Sequence, residues 1–322
     1  MKIEESLEAL YRLREDPSSP GARAEIRKHL AAKSNLVVAK AAKIIADFEL
    51  SDFEPALVEV FGRFMRNAAT TDKGCLAKTE TVKALYTLGA AEGDVFLAGI
   101  RHVQMEPSWG KPVDTAAPLR TASAFGLVRM NHPDAIDEIV TLLVDREPDA
   151  RIGAVRALAY SGRPEAAALV RLKALQGDES ADVKFECFAA LLALAPEKSL
   201  AFVAGYLDGD DPALADAAAM TLGQSRLEAA VTILIKKFQA GAAGPLRPAL
   251  LTSMAFARIE CALDFLFDLI RSGSEPAAVQ AVTALAMYRH DDRIREQVES
   301  LVQQRDTRML TDALDRDFHG RP

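Results

Sequence analysis

A repeat of amphipathic segments constrains this chain more than any other feature of its sequence. The clearest stretch covers residues 144–195, where VDREPDARIGAVRALAYSG is followed by an apolar segment and then by GDESADVKFECFAALLALA. Each half begins with an acidic turn, and the two halves lie about thirty residues apart, a period typical of stacked helical pairs. The sequence therefore predicts an array in which each pair of helices packs on its neighbours, rather than one globular core.

Alignment of the second helix of each pair gives eight frames, and positions 0, 4 and 8 of each frame share one helical face. Position 0 falls at Val37, Ala77, Leu119, Ala150, Val183, Leu214, Leu246 and Ala277, with spacings of 40, 42, 31, 33, 31, 32 and 31. Position 4 is small in nearly every frame: Ala41, Thr81, Ser123, Ala154, Cys187, Ala218, Leu250 and Ala281. Position 8 is large and apolar: Ile45, Leu85, Leu127, Leu158, Leu191, Leu222, Met254 and Leu285. We predict that these positions form the core and that the small residues let neighbouring helices approach.

The spacing predicts one continuous array over residues 1–322 with three stretches. Residues 1–130 hold longer, irregular repeats, and residues 131–291 hold regular repeats of 31–33 residues. Residues 292–322 are expected to form a polar C-terminal cap that ends in a frayed, charged tail.

Charge and composition argue against two classes of partner. The chain is 49% hydrophobic but only 6% aromatic, and its formal net charge is −7. Residues 1–130 hold 18 basic and 17 acidic side chains, whereas residues 131–322 hold 21 and 29. A chain of this charge has no general attraction for nucleic acid or anionic lipid, so we expect neither as a partner.

The cysteines and the N-terminus favour a cytoplasmic protein. Cys75, Cys187 and Cys261 are isolated, which is typical of a reducing compartment. The segment MKIEESLEALYRLRED is acidic, unlike a signal peptide, and the longest apolar run is too short to span a membrane. Cys187 falls on a core position and is expected to be inert, whereas Cys75 precedes a helix and could be exposed there.

No catalytic motif is present in the sequence. It lacks HExxH, the phosphate-binding GxxxxGK, the dinucleotide-binding GxGxxG and the hydrolase motif GxSxG. The five histidines are scattered, and we expect each of them to lie at the surface. The sequence therefore predicts a non-enzymatic protein without cofactor or bound metal.

The pattern DARIGAVRALAYSG resembles the second helix of a HEAT repeat, particularly the short bacterial type named after phycobilisome lyases. In that family an acidic turn residue pairs with a basic residue six positions later, a spacing found here at Asp145–Arg151 and Asp178–Lys184. The spacing lapses at Ala215 and in the last two frames. The resemblance covers most of the chain and implies an all-α, right-handed α-solenoid of about eight HEAT-like helical hairpins.

In HEAT proteins the second helices line the concave surface, so positions 6 and 10 of each frame are implied to face a groove. In residues 1–160 this surface is basic with aromatic interruptions: Lys43, Lys83, Phe125, Arg129, Arg156 and Tyr160. We hypothesise that these cations engage an acidic or extended segment of a partner protein and that the two aromatics anchor it. The alternative is that these are ordinary solvated positions and that Phe125 merely packs adjacent repeats.

Trp109, the only tryptophan, is the second candidate for partner binding. It lies in MEPSWGKPVDTAAP, the least helical segment of the chain, and long loops of this kind are often functional. The alternative is that Trp109 folds back and covers an apolar patch where the repeat spacing changes.

Three classes of function remain open. A protein–protein interaction scaffold or adaptor requires only the repeated surface. A bilin or chromophore lyase, or one of its subunits, is implied by the family resemblance alone. A HEAT-type DNA glycosylase would need a strongly basic groove, and the acidic net charge counts against it.

Overall fold

The computed structural model describes residues 3–242 and 244–320, and these residues are almost entirely helical. Helix accounts for 76% of the described residues, with twenty α-helices among them, which confirms the predicted all-α class. The chain divides into two compact units, Met1–Val170 and Arg171–Pro322. The handedness, the repeat count and the single array predicted from the sequence stay predictions.

Unit 1 is built from helix pairs whose second members pack side by side. Its helices are α1 (Ile3–Arg12), α2 (Pro20–Leu30), α3 (Asn35–Asp47), α4 (Glu54–Met65), α5 (Ala68–Thr71), α6 (Leu76–Leu88), α7 (Gly93–Ile100), α8 (Ala117–Arg129), α9 (Ala135–Leu142) and α10 (Pro148–Ser161). The second helices α3, α6, α8 and α10 contact each other in chain order. Their first-helix partners are α2, α4, α7 and α9.

Unit 2 repeats this arrangement. Helix α11 (Pro164–Gln176) contains the boundary between the units, and α12 (Ala181–Leu194), α13 (Pro196–Gly205), α14 (Pro212–Gln224), α15 (Glu228–Gln239), α16 (Leu246–Ala257), α17 (Glu260–Ser272), α18 (Glu275–Leu285), α19 (Asp292–Arg305) and α20 (Arg308–Asp317) follow. Helices α12, α14, α16, α18 and α20 form the layer of second helices. Short 3-10 turns occur at Ser51–Phe53, Lys73–Cys75, Tyr206–Asp208 and Ala286–Tyr288.

The predicted core positions are confirmed by burial. Every residue at positions 4 and 8 of the eight frames is buried. At position 0 the exceptions are Leu214 and Leu246, which are partly buried. Offsets of 0, 4 and 8 place side chains on one stripe of a helix, and that stripe faces the interior of each unit.

The end of the chain differs from the prediction. Residues 308–317 form helix α20, which packs against α18 and α19, so the expectation of a frayed tail is wrong for this segment. Leu310, Leu314 and Phe318 are buried at offsets of 0, 4 and 8. They make a ninth frame, 33 residues after Ala277, because apolar burial outweighs the high charge of the segment.

Small residues allow the second helices to approach closely. A Cβ atom added to Gly153 on α10 would lie 2.1 Å from the side chain of Thr121 on α8. A Cβ atom added to Gly223 on α14 would lie 2.1 Å from the carbonyl oxygen of Ser253 on α16. These distances are far below van der Waals contact, so glycine is required at both positions.

Prolines and polar caps define many helix starts. Pro148, Pro196 and Pro212 occupy the first turns of their helices, where the missing N–H group has no partner to lose. The Asp211 carboxylate accepts hydrogen bonds from the backbone N–H groups of Ala213 and Leu214, at 3.0 and 3.3 Å, and caps α14. In the described residues, no helix has the length and apolar character needed to cross a membrane.

Candidate functional site

The outer face of the second helices in unit 1 carries the residues predicted to bind a partner. Lys43 lies on α3 and Lys83 on α6, and both are exposed. Arg129 on α8 and Arg156 and Tyr160 on α10 are exposed as well. We call the outer surface of α3, α6, α8 and α10 the second-helix face. Its orientation follows from the frame, because positions 6 and 10 lie opposite the buried stripe.

Three aromatic rings form a continuous cluster on this face. The ring of Phe125 lies 6.2 Å from that of Tyr86 and 5.5 Å from that of Tyr160, measured between centroids. Burial, followed by a hydrogen bond with the Tyr160 hydroxyl, raises the pKa of Tyr86. The cluster therefore crosses three consecutive second helices, α6, α8 and α10. Phe125 contacts adjacent repeats, as its alternative interpretation predicts, while the exposed Tyr160 keeps the cluster accessible.

Arg129 is held against this cluster by backbone groups. Its guanidinium donates to the carbonyl oxygens of Tyr86 and of Thr87, the latter at 3.2 Å, and lies 5.2 Å from the centre of the Tyr86 ring. Carbonyl oxygens orient the cation without neutralising it, so a formal positive charge remains at the cluster. Sequence reasoning missed Tyr86, which stands at position 9 of its frame, between the two positions used to define the face.

The lysines lie further along the same layer. Lys83 pairs with Glu80 at 2.7 Å, whereas Lys43 has no ion pair among the described residues. The structure therefore brings Phe125, Arg129 and Tyr160 together. Lys43 and Lys83 stay on the neighbouring helices, and Trp109 lies on a different element.

Trp109 lies at the tip of a β-hairpin. Strand β1 (Met105–Glu106) pairs antiparallel with strand β2 (Val113–Asp114), and Trp109 lies in the loop between them. Its side chain is fully exposed, at 108% of the reference area. The interpretation of Trp109 as the cover of an apolar patch is therefore wrong.

A buried polar network holds the base of this hairpin. Lys78 and Asp72, both at 0% exposure, form an ion pair at 3.2 Å. The Lys78 ammonium also donates to Gln104 Oε1 at 2.7 Å, and Gln104 Nε2 donates to the Asp72 carbonyl at 2.7 Å and to Glu106 Oε1 at 2.6 Å. Such a network is stable when its members satisfy one another, and it then fixes a single arrangement.

Arg120 extends the network to the next repeat. Its guanidinium lies 2.7 Å from Asp114 Oδ2 and 2.9 Å from Asp145 Oδ2, and donates to the His102 carbonyl at 2.9 Å. The Asp145 carboxylate thus faces the preceding repeat, while Arg151 donates to the Asp145 backbone carbonyl at 2.8 Å. Asp145 and Arg151, the pair implied by the family resemblance, therefore interact through the backbone carbonyl of Asp145 and not through its carboxylate.

In unit 2 the predicted pair Asp178–Lys184 is likewise replaced by ion pairs with other residues. Asp178 forms an ion pair with Lys173 at 2.8 Å, and Lys184 lies 3.9 Å from Asp211 of the following repeat. The turn carboxylate is again matched with a cation from a neighbouring segment.

The hairpin carboxylates are held ionised. Burial opposes ionisation of Glu106, but hydrogen bonds from Gln104, the Gly74 N–H and Thr115 outweigh it, and the pKa of Glu106 is lowered. Burial also opposes ionisation of Asp114, but bonds from two backbone N–H groups and from Arg120 likewise lower its pKa. Both groups anchor the hairpin as charged acceptors.

Two expectations about reactive side chains are wrong. Cys75 is buried, and desolvation raises the pKa of its thiol to about 11. His29 is buried at 1% exposure, and desolvation lowers its pKa. Cys187 is buried as predicted, with its pKa raised by burial to about 12, whereas Cys261 is exposed. In the described part of the chain, no cluster of His, Cys, Asp or Glu could hold a metal ion.

Unit 2 presents a cleft where unit 1 presents aromatic rings. Positions 6 and 10 of its first frame are Ala189 and Ala193, which with Thr221, Gln224 and other side chains of α12 and α14 line a cavity of about 320 Å³. The small side chains leave the space that Phe125 and Tyr160 fill in unit 1.

Comparison with known proteins gives no family. No protein-family model matches the chain, and no curated protein matches it. Among solved structures it is similar to the complex of CpcE and CpcF of phycocyanin lyase from Nostoc sp. PCC7120, at 14% identity over 93% of this chain and 98% of that chain, with a TM-score of 0.37. It is similar to an engineered protein at 16% identity, covering 99% and 96%, with a TM-score of 0.35. It is also similar to human deoxyhypusine hydroxylase in complex with glycerol at 16% identity, covering 90% and 92%, with a TM-score of 0.31.

Proposed function

We propose that this protein is a non-enzymatic scaffold that binds a partner protein on the second-helix face of unit 1. The single observation that carries the proposal is the cluster of Tyr86, Phe125 and Tyr160 with the Arg129 guanidinium against it. Tyrosine and arginine are, with tryptophan, the side chains enriched at the energetic centre of protein interfaces. The cluster crosses three repeats, so it offers a surface long enough for an extended ligand.

The charges of this face favour an acidic partner. Lys43, Arg129 and Arg156 are exposed cations on a chain whose overall charge is negative. A short acidic segment responds mainly to charges within about 8 Å at physiological salt, so the local cations dominate over the net charge. We therefore expect an extended segment with carboxylates opposite these cations and an apolar residue on the aromatic rings.

The test is capture of partners by the purified full chain, with variants that keep the fold. We would combine Lys43→Glu, Arg156→Glu and Tyr160→Ala and leave Arg129 unchanged, because Arg129 also ties α8 to α6. The matched control is Lys28→Glu on α2, a cation with 58% side-chain exposure on the first-helix layer. A partner should be captured by the wild type and the control but not by the triple variant, and overlapping peptides of that partner should locate an acidic segment.

Equal capture of the partner by the wild type and by the triple variant would contradict the proposal. The two other classes have direct tests of their own. A change in the absorption spectrum on mixing the protein with a bilin would favour the chromophore lyase. Salt-sensitive binding to duplex DNA would favour the glycosylase.

A further inference from the structure

One edge of unit 1 carries a second surface that the second-helix face does not include. It consists of the four turns that lead into α3, α6, α8 and α10, at residues 31–36, 66–76, 101–116 and 143–147, which include the short helix α5 and the first residues of α3 and α6. We call it the turn edge. Each turn exposes at least one apolar side chain and at least one cation, among them Leu36 with Lys33, Leu76 with Lys73, Trp109 with Lys111, and Val144 with Arg146.

The apolar side chains of the turn edge are extensively exposed to solvent. Trp109 is fully exposed, Val144 is 71% exposed, and Met105 and Val113 add about half of their surface beside Trp109. Single exposed apolar residues need no explanation, but a row that recurs at each repeat along one edge marks an interaction surface.

The turns are fixed to one another by hydrogen bonds. Asn35 Nδ2 donates to the Lys73 carbonyl at 2.9 Å, and the Gly74 N–H donates to Glu106 Oε1 at 2.7 Å. Arg120 then joins the hairpin to the turn that contains Asp145. A surface held in this way loses little conformational freedom on binding, which favours affinity.

The exposed charge of the turn edge is positive. In the described residues, Lys33, Lys73, Lys111 and Arg146 form no ion pair with a carboxylate. The carboxylates of the same turns are directed inward, where Asp72, Asp114 and Asp145 are held by the buried network, and Glu147 is only partly exposed. Two of the corresponding turns of unit 2, those before α12 and α14, are acidic instead: Asp178, Glu179, Asp208, Asp210 and Asp211.

We propose that the turn edge docks an acidic, amphipathic helix of a partner protein, with the Trp109 ring packed on the apolar face of that helix. Neighbouring helices in a layer lie roughly 8–10 Å apart, so four turns span roughly 30 Å. A helix of about twenty residues covers that length at 1.5 Å per residue. Its carboxylates meet the four cations, and its apolar face meets Leu36, Leu76 and Val144.

The overall charge favours a protein segment over an anionic membrane as the occupant. A bilayer presents a continuous negative surface to the whole molecule, and a chain of net charge −7 is repelled by it. A single helix that lies along the turn edge is close only to the cations of that edge, because salt screens the more distant carboxylates.

The test is selection from a displayed library of random peptides of about twenty residues against the immobilised full chain. The edge variant combines Trp109→Ser, Lys73→Glu and Lys111→Glu, which replace exposed side chains and so preserve the fold. The control combines Lys43→Glu and Tyr160→Ala on the second-helix face, so that failure of the turn edge and failure of the proposed function can be told apart. Circular dichroism checks that both variants fold as the wild type does.

Enrichment of acidic, amphipathic peptides by the wild type and the control, with at least tenfold weaker binding to the edge variant, supports the proposal. The lone tryptophan supplies a second readout, because its fluorescence emission should shift to shorter wavelength when such a peptide covers it. No enrichment, enrichment without an acidic and apolar pattern, or equal binding to the edge variant overturns it. Sedimentation with phosphatidylglycerol vesicles that is lost in the edge variant overturns the choice of a protein occupant.

Discussion

The guanidinium of Arg120 and the carboxylate of Asp145 form a two-point contact between consecutive repeats. Nη2 of Arg120 donates to Asp145 Oδ1 at 3.0 Å, and Nε lies 2.9 Å from Asp145 Oδ2. Arg120 is 2% exposed and also binds Asp114, which lies in the hairpin that precedes its own helix, α8. One buried cation therefore balances two carboxylates, one from the hairpin and one from the turn before α10, and fixes the hairpin relative to the regular repeats.

Removal of this cation should destabilise unit 1. In Arg120→Met both carboxylates lose their buried partner, and breaking a buried pair in this way costs about 3–5 kcal/mol in the free energy of unfolding. Urea denaturation followed by circular dichroism measures the loss. Arg12→Met is the control, because the Arg12–Glu8 pair is largely exposed and such pairs contribute about 0–1 kcal/mol. Equal stability of the two variants would contradict the assigned role of Arg120.

Close helix packing in unit 2 should make Gly223 intolerant of any side chain. The Cβ atom of Gly223→Ala would overlap the Ser253 backbone carbonyl, which cannot rotate away, so we expect a loss of about 1–3 kcal/mol or more. Gly62→Ala is the matched control in the interior of α4, where a Cβ atom meets nothing within 4 Å. There the gain in helix propensity should stabilise the protein by about 0.5–1 kcal/mol. Thermal unfolding of the two variants should therefore shift in opposite directions.

The three cysteines should react in a fixed order with a thiol reagent. Cys261 is exposed and should be modified in the native protein. Cys75 and Cys187 are buried, with pKa values raised to about 11 and about 12, so little thiolate forms near neutral pH and access is blocked. Titration with a chromogenic disulfide should count one reactive thiol before unfolding and three in denaturant. Early modification of Cys75 would show that the segment before α6 opens in solution.

The hairpin anchor should weaken in acid. The pKa of Glu106 is lowered in the folded protein, so the unfolded chain binds the proton more readily. The stabilisation is complete above the ordinary glutamate range and is lost as the pH falls through the lower pKa of the folded state. Glu106→Gln should therefore show a shallower acid-side decline in melting temperature than the wild type. Parallel profiles would mean that Glu106 is not held ionised by its hydrogen bonds.

The buried stripe of each second helix was predictable because it depends on local periodicity. Ile45 and Leu285 lie at opposite ends of the chain, yet the same offset places both in a core. The ninth frame has the same apolar spacing at Leu310, Leu314 and Phe318, but the many charged residues between these positions make the spacing hard to recognise in the sequence. The six-residue spacing also occurs at Asp72–Lys78 and Asp114–Arg120, and these pairs could have been found by extending the search into the irregular repeats.

The candidate sites were predictable only in part. Positions 6 and 10 had to face outward once the core stripe was known, so Phe125, Arg129 and Tyr160 could be named in advance. Tyr86 could not, because its place in the cluster depends on how α6 and α8 are offset. The exposure of Trp109 was also open, since a Pro- and Gly-containing loop is compatible with either a projecting or a folded-back indole.

The sequence by itself determined the helical period, the core residues and the positions that face away from the core, because these follow from 3.6 residues per turn and from apolar burial. Only the tertiary structure decided which charged groups meet. Asp145 is six residues from Arg151 in the chain, but its carboxylate binds Arg120 of the preceding repeat. The ion-pair partner of a buried carboxylate depends on how one repeat stacks on the next. The cation that binds is the one that also satisfies the polar groups of the neighbouring turn.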